Sequence, residues 1–271
     1  MFLEPFPALW RARYGETAPP PPEISGLTPL LRHRSVRDFA PEPLSEDTVR
    51  VLFAAAQAAA TSANLQLWSA ISVQEPARRD AIAKLCADQK QIRDCAWFFA
   101  FVVDHFRVEK AARDAGENPA GLDLAEFFAM GCVDAALAAE RLTCAAEFAG
   151  LGCCYIGALR NDVEGVKRLL EIPGRCFPIF GLCLGKVAAS CKAEAKPRLS
   201  QPAIWFREKY DASPDTAEYD GRMAAFYASQ GQKADVSWAQ RCGRRVDGSA
   251  KSITGRDGLK TWMEREGFSR R

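Results

Sequence analysis

One stretch constrains the fold more than any other. Leu124 to Leu151 is apolar along most of its length and is interrupted by Glu126, Asp134, Glu140, Arg141 and Glu147. Charges at that density exclude a membrane span. Apolar residues on nearly every face predict a long helix from Leu124 to about Ala149 set in the interior, with Gly150 and Gly152 stopping it. A helix of that kind needs a sheet and other helices to cover it.

The surrounding segments supply those layers. Leu67 to Val73 has strand character, and Trp97 to Val103 is a continuous apolar run suited to a strand buried on both faces. Phe177 to Leu184 is a further buried strand, and Cys153 to Gly157 a short strand or extended loop. Helices are predicted over Leu27–Arg34, from the Ser45 N-cap with Glu46 and Asp47 in its first turn to about Ala60, over 76–87, from Asp162 to Pro173, near 216–230 and near 256–266. Residues 107–121 read as a loop or short helix. Residues 1–25 read as an arm, stiffened by the four prolines Pro19 to Pro22. Gly-x-Gly-x-x-Gly follows none of the strands, so a dinucleotide-binding doubly wound fold is not supported. The expected class is α+β, a central mixed β-sheet flanked by helices.

Composition excludes several functions. The net charge of +2 over 271 residues argues against a nucleic-acid ligand, although the chain from Gln240 onward holds nine Lys/Arg against four Asp/Glu. A solvated basic helix accounts for that imbalance, and Trp238 and Trp262 are too few aromatics for a stacking platform. With two histidines and no Cys-x-x-Cys among ten cysteines, a zinc site is not expected. The cysteines read as small buried hydrophobes of a reducing compartment, Cys153 and Cys154 included. Met1 to Gly15 lacks the pattern of a signal peptide. The expected location is the cytoplasm, with no membrane contact.

Three clusters carry chemistry. His33-Arg34-Ser35-Val36-Arg37 packs two guanidiniums, an imidazole and a hydroxyl into five residues, a set that fits phosphate oxygens or, equally, a helix C-terminus. Lys196-Pro197-Arg198 holds two cations on either side of a fixed backbone, suited to one anion or to plain surface exposure. Gly152-Cys-Cys-Tyr-Ile-Gly-Ala-Leu-Arg160 brackets a Tyr-Ile pair with small residues, which permits backbone amides to approach a flat ligand, or serves a strand-to-helix turn.

Taken in order, these clusters resemble the nitroreductase family. The series runs from His33–Phe39 through Thr61-Ser62, Gln89-Lys90, Val133-Asp134-Ala135, Gly150-Leu-Gly152, Tyr155-Ile-Gly157, Leu159-Arg160-Asn161 and Phe180–Gly185 to Lys196–Leu199. The resemblance spans residues 27–210 and is weak beyond. It implies an intertwined homodimer with FMN at the subunit interface, an FMN-binding core over 26–210 and a C-terminal extension, 211–271, wrapping the partner. It further implies that His33, Arg34, Ser35, Arg37, Lys196 and Arg198 hold the FMN phosphate. Thr61 and Ser62 would touch the flavin, and Gln89 and Lys90 its polar edge. Tyr155, Ile156, Gly157 and Ala158 would lie against the ring. The implied reaction is ping-pong: NADPH or NADH gives hydride to the flavin, leaves, and a small-molecule acceptor (a nitroaromatic, a quinone or free flavin) replaces it. No acid–base triad is expected.

The chain departs from the family pattern in places. Ala158 stands where a second glycine is usual, and Ala63 where a hydroxyl residue is usual. Paired arginines for a nucleotide 2′-phosphate are expected near 230–235, where this chain has Gln230 and Lys233; Lys233 and Arg256 are the candidate contacts to NAD(P)H or substrate. Other readings are an FMN protein of related fold with dehalogenating or flavin-modifying chemistry, and a non-enzymatic FMN-binding protein.

Overall fold

The computed structural model describes residues 4–213, 215–232 and 236–268. In chain order the helices are α1 (Phe6–Tyr14), α2 (Thr28–Leu31), α3 (Glu46–Gln57), α4 (Pro76–Leu85), α5 (Lys90–Asp94), α6 (Phe106–Asp114), α7 (Ala125–Phe148), α8 (Val163–Leu170), α9 (Ala217–Ser229), α10 (Trp238–Arg245), α11 (Ala250–Ile253) and α12 (Leu259–Arg265). The strands are β1 (Trp68–Val73), β2 (Trp97–Asp104), β3 (Gly152–Ile156) and β4 (Cys176–Gly185). The chain divides into two compact units, one made of residues 1–34 and 192–253, the other of 35–191 and 254–271. Each unit is completed by a segment distant in sequence.

The larger unit is a four-stranded sheet in the order β1-β2-β4-β3, antiparallel at every ladder. A mixed sheet was the expectation; among the described residues the parallel component is one bridge, Ser35 to Cys153. Side chains alternate between two cores, as a pleated strand requires. One face buries Ile82, Ile92, Phe98, Cys154, Ile156, Leu159 and Val166 against α4, α5 and α8. The other buries Phe99, Phe101, Leu182 and Leu184 against α3 and α7.

Helix α7 covers the expected span but is two-faced. Ala135, Ala138, Ala139, Leu142 and Ala146 are buried, whereas Val133, Leu137 and Phe148 are exposed. Gly131 lets it lie close to the sheet: a Cβ there would sit 2.5 Å from Val103 Cγ1. Ser45 caps α3 by accepting the Thr48 amide, and Asp162 caps α8 by accepting that of Gly165. Residues 106–114, read as loop or short helix, are helical in α6. Among the described residues no helix is long and apolar enough to cross a membrane.

The smaller unit corrects the reading of residues 1–25 as an arm without helix. Residues 6–14 form α1, with prolines at its start and Phe6, Leu9 and Arg13 buried on one face. The spacing of those three is helical, and Phe6, Trp10 and Tyr14 stack at four-residue intervals along a neighbouring stripe.

Candidate functional site

In the larger unit the outer edge of β3 is where three predicted segments meet. Val36 donates its amide to Cys153 O at 2.9 Å, which lays Ser35–Arg37 alongside the strand. Gly152 makes the approach possible, since a Cβ there would lie 2.8 Å from Val36 and 2.9 Å from Val187. Beyond Cys153 that edge of β3 has no strand partner among the described residues. Tyr155 and Ile156 therefore follow the Ser35–Cys153 bridge with no strand on that side, and Gly157 opens the 3-10 turn Gly157–Arg160. A Cβ on Gly157 would meet only Arg160 Nη2, at 3.7 Å, so packing within the unit does not demand a glycine there.

Side chains gather at the same edge. Ser35 and Arg37 are exposed, and Arg37 has no carboxylate partner among the described residues. Burial pushes the Cys154 thiol up, while the charge of Arg37 and a hydrogen bond with Gln91 pull the other way. Gln91 Nε2 donates to Gln89 Oε1 at 2.7 Å, and Gln89 Nε2 donates to Cys86 O at 2.9 Å. Just before them Ala87 and Asp88 hold φ of 61° and 55°, a left-handed pair that non-glycine residues seldom adopt. Lys90 is exposed and pairs with Asp94 at 3.1 Å. Tyr155 accepts from Thr143 Oγ1 at 3.1 Å and donates to Glu140 Oε2 at 3.2 Å, which anchors its phenol on α7.

Thr61 and Ser62 lie at a second strained loop. Ala63, Asn64 and Gln66 all have φ near +50°. Asp134, fully buried on α7, holds this loop by accepting the amides of Ser62 and Leu67, each at 3.0 Å, one on each carboxylate oxygen. Asp134 and Thr143 are nine residues apart on α7, on the order of 13 Å along the axis. The Thr61–Ser62 loop and the phenol of Tyr155 are thus fastened to separate points of one helix.

The smaller unit carries the other cations. Arg34 is buried, donates to Glu4 Oε1 at 3.0 Å and to Arg32 O at 3.1 Å. His33 is half-buried. Lys196 and Arg198 are exposed on either side of buried Pro197, whose carbonyl accepts from Tyr219 at 3.4 Å.

Residues 30–186 match the nitroreductase family, and residues 196–271 match its C-terminal domain. The chain belongs to the nitroreductase family. It is similar to the FMN reductase (NADPH) of Bacillus subtilis, 32% identical over 78% of this chain and 87% of that protein. The NfrA1 nitroreductase structure from B. subtilis superposes with a TM-score of 0.82 at 30% identity, covering 90% of this chain and 99% of that one. The NADPH:FMN oxidoreductase of Vibrio harveyi, solved with NAD+, superposes at 0.79 with 28% identity over 90% and 99% of the two chains.

For this nitroreductase-family chain, two further residues take positions that sequence did not reveal. Arg256 was a candidate substrate contact. Its guanidinium is engaged with Asn161 Oδ1 at 2.8 and 3.0 Å and with Gly157 O at 3.1 Å, so it braces the turn that follows β3. Gln91, which touches Cys154, lay one residue beyond the Gln89-Lys90 pair. Lys233 lies outside the described residues. Burial raises the Cys153 thiol as well as that of Cys154, which keeps both protonated and fits the reading of these cysteines as packing residues.

Proposed function

We propose that this enzyme binds FMN and carries electrons from NADPH or NADH to small acceptors, namely nitroaromatics, quinones or free flavin, in a ping-pong order. The observation that carries the reading is the edge of β3 left without a strand beyond Cys153, beside the exposed guanidinium of Arg37, which has no carboxylate partner among the described residues. A flat, anionic cofactor is held by backbone amides and by cations whose donors can turn to it. The names of the relatives, an FMN reductase that uses NADPH among them, supply the identity of the ligand.

In this reading His33, Arg34, Ser35, Arg37, Lys196 and Arg198 neutralise the phosphate. Thr61 and Ser62 touch the flavin, Gln89 and Lys90 hold its polar edge, and Tyr155, Ile156, Gly157 and Ala158 lie against the ring. Bound FMN supplies two-electron transfer chemistry that side chains lack. The protein orients donor and acceptor in turn against the same opening, and Gln89 and Lys90 place donors where negative charge accumulates. No side chain needs to act as a nucleophile.

The reading includes a homodimer. Val133, Leu137 and Phe148 form an exposed apolar stripe along α7, and Val51 is exposed on α3, which packs on α7. A second copy covering this stripe would bury it. It would also let the Thr61–Ser62 loop and the β3 edge, fastened to separate points of α7, serve flavins held by different copies. In the dimer the segment 211–271 wraps the partner.

The test is direct. The purified protein is expected to be yellow, to bleach with NADPH or NADH under anaerobic conditions, and to recover colour on adding a nitroaromatic or quinone. An FMN-bound protein that neither nucleotide bleaches defeats the reading. Leu137→Glu is expected to shift the elution volume from dimer to monomer with loss of bound flavin; an unchanged dimer defeats the interface.

A further inference from the structure

Helix α1 precedes the residues that match the family, which begin at residue 30. Its one buried charge is Arg13, 4% exposed. The guanidinium of Arg13 donates to Leu31 O at 2.9 and 3.2 Å, to His33 O at 2.5 Å and to Lys196 O at 2.6 Å. Those carbonyls belong to the two cationic segments assigned above to the phosphate, which are far apart in sequence. The main chain of Arg13 makes the same connection from the other side: its carbonyl accepts the amide of Arg198 at 2.8 Å and Nη1 of Arg222 at 2.7 Å. Next to it, Glu4 accepts from Arg34 through its side chain and from Arg32 through its carbonyl, at 3.1 and 3.3 Å.

We propose that α1 is a built part of the anion site of this protein, with Arg13 as its positioning residue. This rests on the assignment of His33, Arg34, Lys196 and Arg198 to the phosphate. Arg13 does not touch the ligand in this arrangement. Its planar fork, with five donors in fixed directions, sets the backbone from which His33, Lys196 and Arg198 project. Carbonyls of both segments converge on one buried cation, so a shift of either segment leaves that buried charge with fewer acceptors. Glu4 acts in the same sense by orienting Arg34.

The test compares FMN with riboflavin, which has the same ring and no phosphate. Binding to the full-length protein is followed by quenching of free-flavin fluorescence for the parent, Arg13→Ala and Arg13→Lys. The parent is expected to prefer FMN. Arg13→Ala is expected to weaken FMN by roughly 10–100-fold, the range for removing an outer partner of a binding group, while riboflavin binding changes by less than about twofold. Arg13→Lys keeps the charge without the fork and is expected to fall between the two; it also answers the question if the alanine variant does not fold. FMN affinities of the folded variants equal to the parent overturn the proposal. Equal losses for FMN and riboflavin also overturn it, because Arg13 then supports the fold at large. A parent that binds both flavins equally removes the phosphate site itself, and this outcome is distinguishable because it appears without any mutation.

Discussion

Replacing Asp134 by alanine removes the buried clamp on the 62–67 loop and leaves two main-chain amides without their acceptors. The Leu67 amide is buried, and a hydrogen bond to an ionised acceptor contributes about 1.5–3 kcal/mol. The Ser62 amide lies at the surface, where water substitutes, so its loss is about 0.5–1 kcal/mol. The carboxylate no longer has to be desolvated, which offsets a part, and the cavity left at a fully buried site adds a part. The expected destabilisation is about 2–4 kcal/mol. At about 2–4 °C per kcal/mol for a chain of this size, the melting temperature falls by on the order of 5–15 °C. The loop responds more than the rest, because Ala63, Asn64 and Gln66 are held at positive φ, each costing about 1–2 kcal/mol that the clamp offsets. Hydrogen exchange should therefore accelerate at 62–67 before the sheet is affected, and FMN affinity should fall through Thr61 and Ser62. Asp134→Asn keeps one acceptor and turns an amide group toward the other N–H, so an intermediate loss is expected. The assay is a thermal melt with exchange measured by mass spectrometry. Melting of Asp134→Ala within about 2 °C of the parent, or unchanged exchange at 62–67, refutes the reasoning.

Other outcomes follow from the same contacts. Arg198→Ala, at an exposed position, should lose FMN affinity with the urea midpoint unchanged, whereas Arg34→Ala, buried on Glu4, should lose affinity and about 1–3 kcal/mol of stability; equal stabilities contradict the placement. His105 is buried with Nε2 on Phe127 O and, among the described residues, no partner for Nδ1, and desolvation holds its pKa below the usual 6.5. The unfolded chain then takes up the proton first, so its contribution is complete above about pH 6.5 and is lost as pH falls below that value. Denaturant midpoints at pH 7.5 and 5.5 should differ more for the parent than for His105→Gln, and equal differences reject the assignment. Lys167 lies 2.6 Å from Glu266 and 5.0 Å from the Trp262 ring centre, at a tenth exposure. Glu266→Gln should cost about 2–4 kcal/mol, reduced from the fully buried case because Glu266 is a fifth exposed, with weak salt dependence; a change below about 0.5 kcal/mol in urea unfolding counts against it.

Much of the architecture was legible because it is written in local patterns. The runs at 68–73, 97–104 and 176–185, the Ser45 and Asp162 caps and the Gly150 stop each depend on neighbours within a few residues. The cationic clusters at 33–37 and 196–198 could be read as anion donors for the same reason. The braces behind them could not. Arg13 stands in a short segment before four prolines, and its partners are carbonyls, which every residue carries and no sequence pattern distinguishes. Asp134 was visible only as one charge in an apolar helix, and its role depends on which amides the fold brings to it.

The sequence by itself determined the strands, the long helix α7 and the caps of α3 and α8, and the chemical types available for a phosphate and a flat ring. Periodicity and capping are short-range, so they survive without knowledge of the fold. The tertiary structure decided that α7 has one buried face and one exposed stripe, that β3 ends the sheet with an open edge beside Arg37, and that a helix ahead of the family match is joined through Arg13 to both cationic segments. Those outcomes depend on backbone groups that are chemically identical along the whole chain. Only the fold selects which of them remain unpaired and which a buried guanidinium or carboxylate reaches.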